Sequence, residues 1–395
     1  MQEKKFRLSV KLTAAGLVMV AVAGLLEGGA RIVFAYRDDI QRRPLISAML
    51  QRSLILDPYE MPSSRGGYHW VLRPGYRASM EQLVAEKRLA GRELGARVLQ
   101  TSIENWNPGG KAIFRINGDG FKGPELDKTH ARPRILALGD STTFGIGGRD
   151  YPRRMEADLN RRGIPIEVVN GGVEGYFPRN LFYEIERYKA LKPEIVTLYI
   201  GWNSLFSHVP WKDAWENRLR AVWLYKRASR TLRAIAGDRQ AFAMKMYNRS
   251  LKPDLSSPDV QSLHDYIPPF LVRIERIIDE FQSVGSDVVL VTLPGLFTMS
   301  ETPSAKALKI GHLPEFTENP YVLAKLMERY NAALRTLADK RGLAVIDLEE
   351  WSAKALRPRE DYFTDSIHLT RKGLEMIGAF MADQLAGKVK KLSKG

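Results

Sequence analysis

Residues 134–145 read Arg-Ile-Leu-Ala-Leu-Gly-Asp-Ser-Thr-Thr-Phe-Gly, and this stretch decides the fold class. Its first half is a short apolar run that ends at Gly139, as a buried strand of a parallel sheet does. Its second half is a small residue followed by polar residues, which is typical of a turn that enters a helix. The stretch therefore predicts a strand, a tight turn and the start of a helix, with Ser141 at the junction.

Similar apolar runs recur along the chain, and helical patterns separate them. The predicted strands are 134–138, 166–169, 195–200, 288–292 and 343–346. The predicted helices are 151–161, 178–190, 267–283, 321–341 and 371–386. Strand–helix alternation of this kind predicts a doubly wound α/β fold with a mainly parallel, five-stranded sheet. Ligands of such sheets bind where the loops converge at the carboxyl ends of the strands.

The remaining segments define the expected domain organisation. We predict a membrane segment at 1–36, a membrane-proximal region at 37–111 with a helix near 79–99, the main α/β domain at 112–387 with a helical insertion at about 204–285, and a basic tail at 388–395. The insertion is rich in Arg and Trp.

The N-terminus has a basic flank followed by an apolar run from Leu12 to Leu26, which is typical of a secretory signal or a signal anchor. Fifteen residues at about 1.5 Å each fall short of a hydrocarbon core of about 30 Å, so a spanning helix must extend into both flanks. Glu27 and Arg31 are four residues apart and can pair at the far interface. The alternatives are a signal cleaved near Ala21-Val22-Ala23 and a buried helix of a soluble protein.

We expect a bacterial single-pass inner-membrane protein with the α/β domain in the periplasm. Lys4, Lys5, Arg7 and Lys11 favour a cytoplasmic N-terminus, although several Arg residues on the far side weaken this charge asymmetry.

Composition narrows the possible partners. The net charge is +15, which favours an anionic partner, either a membrane or a nucleic acid. The sequence lacks the zinc-finger, basic-zipper and RNA-recognition motifs, so we expect no nucleic acid. There are no cysteines, which excludes disulfides, thiolate metal sites and a lipid-modified cysteine. We expect neither a cofactor nor a metal.

Polar residues follow three of the predicted strands. Ser141 is either a nucleophile or a helix cap, and capping is the default for a lone serine in this position. A phosphate-binding loop is a further reading, but the spaced glycine patterns are absent. The Gly171-Gly172 pair lets backbone N–H groups approach a ligand, although an ordinary tight loop has the same composition. Asn203 can donate to an oxyanion, although asparagine is also common in turns.

The C-terminal loop contains the candidate base. Asp365 precedes His368 by three residues, directly before the last predicted helix. A carboxylate in this place can orient the imidazole and stabilise its protonated form, as a base that serves a serine requires. The competing pair is His264-Asp265, whose adjacent residues lie in the insertion and suit this geometry less well.

Together these segments resemble the SGNH (GDSL-like) hydrolase family over about 112–204 and 286–387. Its four blocks match Gly139-Asp140-Ser141, Asn170-x-Gly172-x-x-Gly175, Gly201-x-Asn203 and Asp365-x-x-His368. Further agreement comes from Tyr330-Asn331, Asp347 and the lead-in at 116–123. The resemblance implies a flavodoxin-like fold with Ser141 as nucleophile, His368 as base and Asp365 as its orienting group. It also implies an oxyanion hole formed by Ser141, Gly172 and Asn203.

Two positions depart from the family pattern. Thr142 stands where the GDSL motif has its leucine, a residue without a catalytic role. Ser204 stands where an aspartate often follows the asparagine that Asn203 matches.

The family implies ester hydrolysis but not a substrate. The leading hypothesis is an esterase that removes O-acyl groups, acetyl among them, from envelope or exported polysaccharide. A lipase or lysophospholipase, an acyltransferase to a sugar hydroxyl, and a non-catalytic polysaccharide-assembly protein are the alternatives. An acylated carbohydrate or lipid is thus the expected partner.

A second membrane contact is possible in the insertion. At 100° per residue, 222–236 places apolar residues on one face and Lys226, Arg227, Arg230 and Arg233 on another. Such a helix either lies at an anionic membrane surface or packs on the sheet with its basic face in solvent.

Overall fold

A computed structural model gives the architecture. The structure describes residues 2–36, 43, 45, 56–65, 69–89, 100, 113–145, 150–211, 219–222, 224–225, 228–229 and 249–392. The described residues form two compact units: the first comprises parts of 1–55, 62–69 and 211–239, and the second comprises parts of 56–61, 70–210 and 240–395.

Strands and helices are numbered in chain order over these residues. The strands are β1 Glu60–Pro62, β2 Trp70–Leu72, β3 Arg77–Ser79, β4 Ile113–Arg115, β5 Arg134–Gly139, β6 Glu167–Gly172, β7 Ile195–Tyr199, β8 Asp287–Val291 and β9 Ala344–Ile346. The helices are α1 Gln2–Ala35, α2 Met80–Leu89, α3 Ser141–Phe144, α4 Tyr151–Arg161, α5 Pro178–Tyr183, α6 Ile185–Lys189, α7 Trp202–Ser207, α8 Pro258–Gln261, α9 Leu271–Gln282, α10 Ala305–Ile310, α11 Pro320–Arg341, α12 Leu348–Ala355 and α13 Arg371–Leu392. A short 3₁₀ helix spans Arg359–Asp361.

The first unit contains the long apolar helix α1. Its segment Thr13–Val33 has 21 residues and is long and apolar enough to cross a membrane. At about 1.5 Å per residue, this length matches a hydrocarbon core of about 30 Å. Large apolar side chains face outward, and Leu17, Val20 and Leu25 are 67%, 72% and 77% exposed. The length and composition of α1 are consistent with a single-pass anchor or a signal sequence.

The Glu27 carboxylate accepts hydrogen bonds from two segments of this unit. Arg31 donates to the Glu27 carboxylate at 2.8 Å, which confirms the predicted pairing. The backbone N–H groups of Arg220 and Ala221 donate to the same carboxylate, each at 2.9 Å. A helical stretch begins at Arg220, so Glu27 satisfies N–H groups that have no intrahelical acceptor.

The second unit is built on the predicted five-stranded sheet. Its strand order is β6-β5-β7-β8-β9, and every neighbouring pair is parallel. The five predicted strands are confirmed, with ends that shift by up to three residues. This is the flavodoxin-like order, in which the chain starts at β5, adds β6 on one side and then crosses to β7 on the other. The reversal leaves a crevice outside the carboxyl ends of β5 and β7.

Helices cover the sheet as the doubly wound class requires. Right-handed crossovers place helices before and after the reversal on opposite faces. Accordingly α4 packs against α13, while α5 packs against α9. The helix predicted at 178–190 is divided at Glu184, whose ψ of 11° ends α5 before α6 begins. The last helix is longer than predicted and continues through the basic segment to Leu392, where Lys388 pairs with Asp287.

The predicted membrane-proximal region contributes structure to the second unit. Strands β1 and β2 form one small sheet, and β3 pairs antiparallel with β4 in another. Helix α2 follows β3 directly in the chain. Each strand has three residues, which is too short to show an alternating pattern in the sequence. The predicted helix near 79–99 is present as α2, and residues 90–99 lie outside the described residues. The domain boundary at residue 112 stays a prediction.

The insertion is described only in part. Residues 249–285 contribute α8 and α9. Most of the predicted amphipathic helix 222–236, including its four basic residues, lies outside the described residues.

Candidate active site

The site begins where β5 turns into α3. Asp140 caps this helix: its carboxylate accepts from the Thr142 N–H at 3.0 Å and from the Thr142 hydroxyl at 2.8 Å. Ser141 is the first residue of the helix, so its hydroxyl is not used as the cap. The turn requires Gly139, because a Cβ there would lie 2.4 Å from the Tyr199 carbonyl oxygen. The sequence allowed Ser141 to be a helix cap or a nucleophile. The cap is Asp140, so the Ser141 hydroxyl is not used for capping.

Three side chains form a continuous hydrogen-bonded line. Ser141 Oγ lies 2.8 Å from His368 Nε2, and His368 Nδ1 lies 2.7 Å from Asp365 Oδ2. Because a carboxylate is only an acceptor, Nδ1 carries the hydrogen, and Nε2 is left to accept from the serine hydroxyl. Ser141 and His368 are 227 positions apart in the sequence, and the fold brings them into contact.

The two oxygens of Asp365 have different tasks. Oδ1 accepts from the Ile367 and His368 N–H groups at 2.9 and 2.8 Å, and Oδ2 receives the imidazole. The carboxylate is therefore fixed to its own loop while it holds the ring. Ser366 fastens this loop further, since its hydroxyl accepts from the His312 N–H at 2.9 Å and donates to the His312 carbonyl.

These contacts set the protonation of the pair. Burial alone would raise the pKa of Asp365, but the adjacent His368 and His312 and the hydrogen bonds hold it well below its ordinary value. Burial alone would lower the pKa of His368, but Asp365 outweighs it and raises this pKa. Burial raises the pKa of Asp140. Asp365 is therefore ionised and favours the imidazolium that forms when His368 takes up a proton.

His312 is a neighbour that the sequence reasoning missed. Its Nδ1 lies 3.8 Å from Asp365 Oδ1, and its ring contacts Phe206 with centroids 4.9 Å apart. Burial lowers the pKa of His312, which favours a neutral ring beside the carboxylate. No local pattern links it to the Asp365 loop, because the two lie more than fifty residues apart in the sequence.

The predicted oxyanion donors differ in their present partners. The Ser141 N–H lies at the start of α3. The Gly172 N–H donates to Asn170 Oδ1 at 2.9 Å, and a Cβ on Gly172 would lie 2.3 Å from the Phe144 nitrogen. The Asn203 amide, in α7 after β7, donates to the Tyr176 carbonyl at 2.9 Å. That bond uses one N–H of the side chain and orients the second.

The fold and this line of side chains define a class: a doubly wound α/β protein with a hydrogen-bonded serine, histidine and aspartate at the crevice of its sheet. The GDSL-like Lipase/Acylhydrolase family model matches residues 137–376, which is more than half of the chain. The chain belongs to this family and is an ester-cleaving hydrolase, which confirms the predicted SGNH resemblance.

Solved structures with a similar fold include a lipase/acylhydrolase from Enterococcus faecalis, at 17% identity over 65% of this chain and 96% of that chain, with a TM-score of 0.38. A catalytic mutant of an acetylxylan esterase from Geobacillus stearothermophilus is 16% identical over 64% of this chain and 94% of that chain, with a TM-score of 0.40. No curated protein sequence matches the chain.

Proposed function

We propose that the chain is a serine esterase that works through an acyl-enzyme on Ser141. The observation that carries this proposal is the line from Ser141 through His368 to Asp365, with distances of 2.8 and 2.7 Å. His368 Nε2 takes the hydroxyl proton as Ser141 Oγ attacks the ester carbonyl, and Asp365 stabilises the imidazolium. His368 then returns the proton to the leaving alcohol. Water repeats the sequence on the acyl-enzyme, so that the acid is released and Ser141 regains its proton.

The oxyanion of each tetrahedral intermediate needs donors beside Ser141. We assign this role to the Ser141 N–H and to the Asn203 side-chain N–H that does not bind Tyr176. The N–H of Gly172 is the third predicted donor. It joins the other two only if it leaves Asn170 Oδ1, which it contacts at 2.9 Å. Donors fixed in advance stabilise the developing charge without reorganisation during the reaction.

We propose O-acyl esters of envelope or exported polysaccharide as the substrate class. The support is positional: Thr13–Val33 is long and apolar enough for a single-pass anchor. A basic leader before this helix favours a cytoplasmic N-terminus and a periplasmic catalytic domain in the bacterial inner membrane. An enzyme held there faces the acylated glycans of the envelope.

Substrate and catalysis are tested together with purified full-length protein. A fluorophosphonate probe should label the wild type and leave Ser141→Ala unlabelled. Release of acetate from an O-acetylated oligosaccharide should exceed hydrolysis of long-chain acyl esters. Preference for the long-chain esters would identify a lipase, and transfer to an added sugar without free acetate would identify an acyltransferase. A wild type that neither reacts with the probe nor turns over any ester would refute the proposal.

Orientation is tested by adding protease to spheroplasts that contain the full chain. We expect digestion of the catalytic region while the membrane is intact, and protection of a cytoplasmic marker protein. Protection of both until lysis would refute the periplasmic assignment.

A further inference from the structure

A buried charged cluster lies in the second unit beside the loop that follows β6. Carboxylate oxygens of Asp57, Glu60 and Glu174 lie within 4.8 Å of one another. The Lys87 ammonium lies 2.9 Å from Asp57 and 3.8 Å from Glu174, and its side chain is 8% exposed. Burial alone would lower the pKa of Lys87, but the three carboxylates together raise it. Lys87 is therefore charged at neutral pH and serves as a counter-ion inside the cluster.

Tyr59 connects this cluster to the catalytic loops. Its hydroxyl donates to Glu174, and Lys87 donates to the same hydroxyl at 3.2 Å. Its buried ring stacks on Phe144, with centroids 5.5 Å apart, and packs on Phe114 at 4.9 Å. Phe144 ends the helix that Ser141 begins. One side chain thus contacts the helix of the nucleophile and a charged residue of the neighbouring loop.

Glu174 lies in a tight turn that reaches an oxyanion donor. The Tyr176 N–H donates to the Val173 carbonyl at 3.3 Å, and Gly175 adopts a φ of +74°. The Tyr176 hydroxyl donates to the Trp70 carbonyl at 2.5 Å. The carbonyl of Tyr176 accepts from Asn203. The turn and the Asn203 amide are therefore joined directly by a hydrogen bond.

We propose that Tyr59 is a positioning residue for the reaction and acts through Glu174, with Lys87 as the counter-ion. Tyr59 and Lys87 hold the Glu174 carboxylate and so fix the turn at a point other than its contact with Asn203. The inference rests on the oxyanion role proposed for Asn203. Reaction geometry is sensitive to such support, because a displacement of about 1 Å can cost a factor of about 10² in rate.

The test compares two tyrosine variants of the full-length protein. Tyr59→Phe removes the hydroxyl that Glu174 accepts from and keeps the ring. Tyr76→Phe is the matched control: its ring lies 6.3 Å from that of Tyr59, and its hydroxyl donates to Glu86 of α2 at 2.5 Å. We expect Tyr59→Phe to lower kcat for an activated acetyl ester about tenfold with little change in KM, because the effect concerns the transition state. Tyr76→Phe should keep the wild-type kcat.

A double-mutant cycle identifies the route of the effect. In an Asn203→Ala background, Tyr59→Phe should cause no further loss of kcat, because the group that it positions is gone. An undiminished tenfold loss in that background would overturn the route through Asn203. Equal losses in Tyr59→Phe and Tyr76→Phe would reduce the role of Tyr59 to general packing.

Hydrogen exchange separates this inference from the proposed function. The peptide that covers 173–177 should exchange about fivefold faster in Tyr59→Phe than in the wild type or Tyr76→Phe, since local opening becomes easier. This readout needs no turnover. Unchanged exchange would overturn the positioning role even in an active esterase, whereas faster exchange in a protein without esterase activity would place the failure in the proposed function.

Discussion

Two hydrogen-bonded histidine–aspartate pairs of the described residues have very different surroundings. His368 and Asp365 bond at 2.7 Å, with side chains that are 20% and 10% exposed. His264 and Asp265 bond at 2.9 Å, with side chains that are 81% and 94% exposed. The nitrogen–oxygen distance alone therefore does not distinguish the two pairs.

Two features besides the bond suit the His368–Asp365 pair to the catalytic role proposed for it. In water a single ion pair is worth little, because solvent screens it and competes for its donors. The Asp365 carboxylate is fixed by two backbone N–H groups, and the second nitrogen of His368 lies 2.8 Å from a serine. The exposed pair lies in the turns between α8 and α9, where its two residues are adjacent in the chain. Burial and a third partner therefore distinguish the two pairs.

The largest expected effect tests this distinction directly. His368→Ala and Ser141→Ala should each lower kcat for p-nitrophenyl acetate by about 10⁶, because the two residues act as one unit. His264→Ala is the matched control and should retain the wild-type rate. The measurement is kcat from steady-state assays on variants that are shown to be folded. A damaging His264→Ala together with a silent His368→Ala would reverse the assignment.

Substitutions of the two aspartates should also differ in their effect on kcat. Asp365→Asn should lower kcat by on the order of 10⁴, since an amide favours the wrong tautomer of His368. Asp265→Asn should leave kcat unchanged, because solvent already surrounds that side chain. Circular dichroism of both variants checks that the fold is retained. A loss of less than about tenfold in Asp365→Asn would mean that the ring is oriented by other groups.

A smaller effect is expected for the oxyanion donor. Asn203→Ala should slow kcat by about 10²–10³ with little change in KM, because the donor acts mainly in the transition state. Asn319→Ala is a suitable control, since Asn319 caps α11 and donates to the Asp254 carbonyl, and neither partner belongs to the proposed catalytic loops. An effect of Asn203→Ala confined to KM would instead assign the amide to binding of the ground-state substrate.

The sequence predicted the sheet and the histidine–aspartate pair because both leave local patterns. Buried parallel strands read as apolar runs that end near glycine, and Asp365 lies three residues before His368. The Tyr59–Glu174 bond joins residues 115 positions apart and has no such pattern. The contact of His312 with Asp365 is hidden for the same reason. The hydrogen bond of Gly172 to Asn170 depends on the local conformation at the end of β6, which glycine content alone does not specify.

The smallest effect concerns the protonation of His368 and tests the electrostatic side of the comparison. Because Asp365 raises the pKa of His368 above its ordinary value near 6.5, the base becomes neutral, and therefore competent, only at higher pH. The acid limb of kcat/KM should then rise with pH through a midpoint above 6.5. The same raised pKa adds stability that is present below about pH 6.5 and is lost as the pH rises through the folded-state value.

The His368 titration can be followed by NMR in the full-length Ser141→Ala protein, where no turnover disturbs the signal. Adding Asp365→Asn should move the midpoint to lower pH, since burial then acts without the compensating carboxylate. Adding Asp265→Asn instead should leave the His368 midpoint in place, because that residue belongs to the exposed pair. Equal midpoints with and without the Asp365 carboxylate would show that the buried pair is coupled no more strongly than a pair in water, and the distinction drawn between the two pairs would then rest on geometry alone.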